Sequence, residues 1–358
     1  MALLDEQDRV TGGFDTTGDP VLDLPKAHLH LHFTGSMRIT TLRELAAEKG
    51  LRLPSALLED WPPTLKATDE RGWFRFQRLY DTARACVTTE ADMRRIVREA
   101  AQDDAAEGST WLEIQVDPTS YAPHVGGITP ALEIVLDEAR AASAEEGIGV
   151  AVIVAASRTR HPLDARTLAR LAAQHAGDGP GEVVGFGLSN DERRGDTHAF
   201  GHAFRIARRA GLAAMPHAGE LLGPEHVQDA LDSLAPTRLG HGVRSTEDPE
   251  VLAEVVRRGI ALEVCPGSNV ALGVYSHLSE VPLRQLLQAG ATVALGADDP
   301  LLFGSRLADQ YVAAREVIGL SAAELGDLAR GSFAASRAPE EVRQEAERRI
   351  AAWVAEQG

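Results

Sequence analysis

The alternation of apolar and polar positions changes character along the chain. From residue 111 onward, short apolar runs at 111–116, 148–155, 182–188, 212–217, 238–241, 261–265 and 291–297 recur between stretches of helical period such as 130–144 and 196–210. Runs of this length bounded by turn residues read as buried strands, and strands separated by helices read as a parallel sheet. Nearer the start, Ala27-His28-Leu29-His30-Leu31-His32-Phe33 alternates strictly. That predicts one more strand, with its three histidines on one face and Leu29, Leu31 and Phe33 on the other. Counting it, about eight strand-helix units follow one another, the number that closes a barrel. The expected fold is therefore α/β, a (β/α)8 TIM barrel, with a doubly wound open sheet as the runner-up.

The chain between the first two strands predicts extra helices. Gly35-Ser36 supplies a turn and an N-cap for a helix ending near Lys49-Gly50, and a loop with Pro54, Pro62 and Pro63 follows. Residues 72–87 then carry Trp73, Phe74, Phe76, Leu79 and Tyr80 on a helical period. Thr89 with Asp92 opens a charged amphipathic helix reaching Glu107 before Gly108. Helices from Ser321 to the end read as an appendage. Residues 1–20 read as a flexible N-terminal lead-in and 21–358 as a single barrel domain, because no linker-like composition divides them.

Composition narrows the function classes. With 44% hydrophobic and 25% charged residues in 358, the chain can bury a large core. Its 36 basic residues against 53 acidic give a net charge of -17, which argues against nucleic acid as a partner but leaves room for a nucleoside, which lacks phosphate. Cys86 and Cys265 stand far apart without C-x-x-C spacing, so neither a disulfide framework nor a cysteine zinc site is expected. No basic segment followed by an apolar one opens the chain, and the longest apolar run, near 148–156, is too short to span a bilayer. A cytoplasmic protein without a membrane partner is the expectation.

In a barrel the chemistry sits at the carboxyl ends of the strands, and the polar clusters fall there. His30 and His32 end the first run; His217-Ala218-Gly219-Glu220, Gly240-His241-Gly242 and Asp298-Asp299-Pro300 end later ones. Each alone has a bland explanation, such as a loop histidine, a turn or a helix N-cap. Two adjacent carboxylates after a buried strand are costly unless a cation or hydrogen bonds compensate. Together, histidines, aspartates and a free glutamate form the inventory of a catalytic zinc site.

With that inventory in view, the chain resembles the adenosine deaminase family of metal-dependent hydrolases. The resemblance runs in order through Pro25-Lys26-Ala27-His28-Leu29-His30-Leu31-His32 with Gly35, Val184-Gly185 to Asp191-Glu192, His217-Ala218-Gly219-Glu220, Gly240-His241-Gly242-Val243, Cys265-Pro266 with Ser268-Asn269, and Asp298-Asp299-Pro300. It spans nearly the whole chain. It implies one zinc ion per chain held by His30, His32, His217 and Asp298. Glu220 would protonate the purine ring nitrogen next to the reacting carbon, and His241 and Asp299 would orient and deprotonate the attacking water. Water would then replace the 6-amino group of an adenine nucleoside, releasing ammonia. His28, where the family usually has an acidic residue, is expected to be a packed or hydrogen-bonded core histidine. The cytidine-type deaminases, with paired cysteine ligands, do not fit.

The departures from the family pattern concern recognition. Thr34 stands where adenosine-specific members have an aspartate for the ribose 5′-hydroxyl, Asn190 replaces a glycine and Gly187 an aspartate. Losing that partner weakens discrimination for a free 5′ end. The expected partner is a small-molecule purine nucleoside enlarged at the 5′ position, such as 6-amino-6-deoxyfutalosine of menaquinone biosynthesis. Trp73, Phe74 and Phe76 would wall its aryl group, and Arg71, Arg75 and Arg78 would clamp its carboxylate. The alternatives are an adenosine or 2′-deoxyadenosine deaminase of purine salvage, a general amidohydrolase, and a non-catalytic nucleoside-binding barrel.

Overall fold

Eight strands follow one another around a ring in a computed structural model that describes residues 13–358. They are β1 (Lys26–His32), β2 (Ser109–Val116), β3 (Gly149–Ser157), β4 (Val183–Ser189), β5 (Ala213–Ala218), β6 (Arg238–His241), β7 (Ala261–Val264) and β8 (Val293–Leu295). Every neighbouring pair is parallel. In β3, Val150, Ala151, Val152, Ile153 and Val154 are all fully buried, as expected of a strand with a core on both faces.

The ring is closed beyond the end of β8. Asp298 N–H donates to the His30 carbonyl at 2.9 Å, and His32 N–H donates to the Asp298 carbonyl at 3.0 Å. A barrel therefore forms, not an open sheet, and the residue that joins its two edges is one of the polar residues singled out above.

β1 does not keep the strict alternation that its sequence predicts. Its register with β2 slips between His28 and Leu31, so three steps on β1 match two on β2. A bulge of this kind re-aims the side chains on either side of it. His28 consequently bonds to Asp104 of the helix Glu90–Ala106, with Nδ1 2.9 Å from Oδ2. The expectation of three histidines on one face is corrected accordingly. The core role expected for His28 holds: it is 1% exposed, and its Nε2 accepts the Ala297 N–H at 3.0 Å.

The extra helices lie where the sequence predicts them, at Ile39–Glu48, Glu70–Ala85 and Glu90–Ala106. The last begins with the expected capping box: Thr89 Oγ1 accepts the Asp92 N–H at 3.1 Å, and the Asp92 carboxylate accepts the Thr89 N–H at 2.9 Å. Its Met93, Ile96, Val97 and Ala100 repeat at helical spacing and are buried, each contributing roughly 1–3 kcal/mol of burial. Gly108, at φ 85°, ends it.

The C-terminal helices are not all an appendage. Ala322–Ala335 packs on β8 and β1, where Ser332 Oγ accepts the Ala27 N–H at 3.0 Å, and so completes the outer ring. Glu340–Gln357 is added outside it, with Trp353 Nε1 donating to the Pro20 carbonyl at 2.8 Å. Of the lead-in expected over 1–20, residues 1–12 lie outside the described residues. Phe14 N–H donates to Asp309 at 2.6 Å, and Asp19 pairs with Arg315 at 2.6 and 2.9 Å. Among the described residues, no helix is long and apolar enough to cross a membrane.

Candidate active site

The strand ends that carry the polar clusters are held in costly backbone conformations. Of the four non-glycine residues at positive φ among the described residues, three are at this site: Asn190 (80°), His241 (64°) and Asp298 (63°). Such conformations cost on the order of 1–3 kcal/mol each and persist where the surroundings over-determine them. Two glycines let the clusters approach. A Cβ on Gly35 would lie 1.7 Å from Asp299 Oδ1, and one on Gly240 would lie 2.9 Å from the His30 ring and 3.0 Å from the His217 ring.

His30, His32 and His217 bring one ring nitrogen each to within 4.8 Å of the others. His30 Nε2 is 3.1 Å from His217 Nε2 and 3.6 Å from Asp298 Oδ1, and His32 Nε2 is 3.2 Å from the same oxygen. The outer nitrogens are engaged elsewhere: His30 Nδ1 lies 2.7 Å from Glu263 Oε2, and His217 Nδ1 lies 2.9 Å from the Leu188 carbonyl. This fixes the tautomers so that the Nε2 lone pairs face one another. Facing lone pairs need a cation or a proton between them. Burial opposes charge on His30, yet hydrogen bonds to Asp298 and Glu263 outweigh it and push the imidazole up to about 10. Burial also works against the Asp298 carboxylate, while His30 and His32 hold it well below its ordinary range. The cluster is thus built around positive charge, and three imidazoles with one carboxylate fit a divalent zinc-like ion.

Glu263 continues outward as a buried chain that the sequence reading did not identify. Its Oε1 accepts from Arg238 Nε at 2.5 Å, and Arg238 Nη2 donates to Glu113 at 2.5 Å. These groups come from β2, the first residue of β6 and β7, where alternation conceals a polar residue facing inward.

Glu220, His241 and Asp299 stand beside the cluster. All three are at most 5% exposed, and Glu220 Oε1, His241 Nδ1 and Asp299 Oδ1 are buried without a hydrogen-bond partner among the described residues. Buried polar atoms of this kind call for a bound group or water. Burial, with Asp298 and Glu192 nearby, pushes the Glu220 carboxyl well above its ordinary range. Burial and then the Asp298 charge push Asp299 up likewise. Burial, followed by His30, pushes His241 down to about 3. The loop that carries Glu220 is anchored by Glu192, whose carboxylate accepts the N–H groups of Glu220 (3.2 Å), Leu221 (2.8 Å) and Leu222 (2.9 Å). Behind it, Arg158 donates to the His217 carbonyl and, at 3.0 Å, to Thr197.

His32, His217, Glu220, His241, Asp298 and Asp299 line a small inner chamber of about 70 Å³, which shares Gln77, Tyr80 and Ser189 with an adjoining outer chamber of about 800 Å³. Trp73 and Asn190 line both; Thr34, Phe74, Arg71 and Arg75 line the outer one. Arg78 is the exception. It lines a separate groove with Pro54, Leu65 and Thr82, because the helix Glu70–Ala85 turns Trp73, Gln77, Tyr80 and Arg84 toward the inner chamber. Arg78 is therefore removed from the expected clamp. Phe76 lines the inner chamber and stacks on Phe303, with ring centroids 5.9 Å apart. The sequence reading missed Tyr121, whose hydroxyl is 2.5 Å from Thr34 Oγ1, and Arg84, which lines both chambers.

Residues 25–353 match the profile of the adenosine deaminase family. A protein of Streptomyces coelicolor provisionally named adenosine/adenine deaminase is 61% identical over 327 residues, covering 90% of this chain and 94% of that one. The crystal structure of an adenine deaminase from Arthrobacter aurescens superposes with a TM-score of 0.84 at 28% identity, covering 93% of this chain and 99% of that one. An N6-methyl-AMP deaminase from Arabidopsis thaliana superposes with a TM-score of 0.81 at 26% identity, covering 93% and 98%.

Proposed function

The chain belongs to the adenosine deaminase family, and from that premise we propose that it is a zinc-dependent deaminase of a 5′-enlarged adenine nucleoside, with 6-amino-6-deoxyfutalosine as the best-fitting substrate. Family members are metal-dependent hydrolytic deaminases, and the relatives above are named for deamination of adenosine or adenine in two cases and of N6-methyl-AMP in the third. One observation carries the choice of a larger substrate. Where a nucleoside's 5′ end would leave the inner chamber, Thr34 is bonded to Tyr121 and the cavity widens to about 800 Å³.

In this reading His30, His32, His217 and Asp298 hold the zinc. When bound, zinc supplies a nucleophile at neutral pH by lowering the pKa of water. Glu220 is kept protonated by burial and donates its proton to the ring nitrogen beside carbon 6, so that negative charge does not build up there. Asp299 and neutral His241 face the same chamber; Asp299, a stronger base for its raised pKa once a bound cation would let it ionise, would take a proton from the attacking water, and His241 would orient it. Water adds at carbon 6, Asp299 passes its proton to the 6-amino group, which departs as ammonia, and the added hydroxyl returns a proton to Glu220, leaving the 6-oxo product with the ring nitrogen protonated.

Purine-salvage deamination of adenosine or 2′-deoxyadenosine is the second reading, favoured by the Streptomyces relative's name. A silent binding barrel would have no use for Glu220 Oε1 and Asp299 Oδ1, buried without a hydrogen-bond partner among the described residues. Steady-state assays of ammonia release by the zinc-analysed enzyme, with adenosine, 2′-deoxyadenosine, adenine and aminodeoxyfutalosine, test the proposal. The highest kcat/KM is expected for aminodeoxyfutalosine; adenosine in that place overturns it.

A further inference from the structure

We propose that Arg84 recognises an anionic group, a carboxylate or a phosphate, carried at the 5′ end of the bound adenine nucleoside. The inference rests on the reading above only in that the base occupies the inner chamber.

Arg84 sits in the last turn of the helix Glu70–Ala85 and, among the described residues, is the only arginine lining both chambers. Its guanidinium lies over the Tyr80 ring, 4.9 Å from the centroid. Among the described residues it makes one ion pair, from Nη1 to Asp81 at 2.9 Å, and Asp81 is 54% exposed. An exposed pair of that kind contributes little. Arg84 Nε is buried and has no partner. An unpaired buried donor is costly unless a ligand satisfies it.

The surrounding charges select the sign of that ligand. Two acidic residues lining the outer chamber are paired with arginines, Asp191 with Arg193 at 2.8 Å and Glu70 with Arg194 at 3.2 Å, while Asp117 accepts from the Thr119 hydroxyl at 2.6 Å and keeps its charge. Arg71, Arg75 and Arg160 line the same chamber and form no ion pair among the described residues. Beside the hydroxyls of Thr34, Tyr80 and Tyr121 that line the outer chamber, the guanidinium keeps Nη2 free of hydrogen bonds among the described residues, which suits a charge-assisted hydrogen bond to a carboxylate or phosphate.

The test is calorimetric titration of the zinc-loaded enzyme with inosine, inosine 5′-carboxylate and inosine 5′-monophosphate. It compares wild type, Arg84→Gln and Arg84→Lys, with zinc content and thermal unfolding measured for each. Wild type is expected to bind at least one anionic probe about 10- to 100-fold more tightly than inosine, and the stronger arm identifies carboxylate or phosphate. Arg84→Gln should reduce that ratio to within about threefold, and Arg84→Lys, which keeps the charge without the fork, should reduce it in part. If Arg84→Gln does not fold, the Lys variant decides, with an unreduced ratio counting against the proposal. Equal binding of all three probes by wild type, or an undiminished ratio in Arg84→Gln, overturns it. Should adenosine prove the best substrate while the ratio still collapses in Arg84→Gln, the anion site stands and the substrate assignment falls. If instead aminodeoxyfutalosine is preferred and the ratio is unaffected, the substrate assignment stands and the anion site falls.

Discussion

The two chambers are built on opposite plans. Around the inner one, His30, His217, Glu220, His241, Asp298 and Asp299 are all buried, on strand ends whose backbone is tied into the barrel. His30 is braced by Glu263, Asp298 by Ser268 Oγ at 2.5 Å, and the Glu220 loop by Glu192. Around the outer chamber, Phe74 is 62% exposed, and Arg71, Arg75 and Arg160 are exposed and unpaired among the described residues. Proton transfer and metal binding tolerate little positional error, so their groups are over-determined. Recognition of a substituent needs reach, and side chains on a helix and loops supply it at little cost to the barrel.

The largest effect should come from the inner chamber's acid. Glu220→Gln keeps the shape but removes the proton donor, and should lower kcat by about 10²–10⁴-fold with zinc content unchanged. Loss of metal together with activity would make Glu220 part of the metal site instead. Glu263→Gln should weaken zinc binding by about 10- to 100-fold, as for other outer partners of ligating histidines. Chelator competition reads it, and unchanged affinity would mean that His30 does not need its brace.

The scaffold behind the Glu220 loop should be acid-sensitive. Burial, then Arg158, pushes His226 down to about 4 from its ordinary 6.5. The unfolded chain therefore binds more protons between these values. Stability from this site is present above pH 6.5 and is lost as pH falls through about 4, by on the order of 3 kcal/mol. His226→Gln should flatten urea-melt stability across that window, and an unchanged slope would place the acid sensitivity elsewhere. The smallest effect belongs to the far side of the aromatic helix. Arg78→Ala should change stability by less than about 0.5 kcal/mol and leave kcat/KM nearly as it was; a larger kinetic loss would return Arg78 to the clamp.

The eight strands and the strand-end residues were legible because both depend on local pattern. Apolar runs of strand length declare themselves, and a histidine or an Asp-Asp pair that ends one is conspicuous. The bulge in β1 was not legible, since it arises from pairing with β2 and leaves no mark on the alternation of residues 27–33. Nor was the role of Glu263 or Arg238, whose partners lie 233 and 125 residues away. Arg75 and Arg78 share a helical spacing, and only docking of Glu70–Ala85 on the barrel decides that one edge of that stripe faces the chamber and the other does not.

By itself, the sequence determined the order of strands and helices, the capping of Glu90–Ala106 and which side chains could carry the chemistry, because these follow from spacing and residue type. The tertiary structure alone decided that Asp298 closes the barrel through its backbone while its carboxylate joins the histidines. It alone also gave His28 Asp104 as its partner, engaged Thr34 with Tyr121 and brought Arg84 to the lining of both chambers. Each of these depends on a contact between segments far apart in the chain, and the identity of such partners is set by how the elements pack, not by the residues on either side.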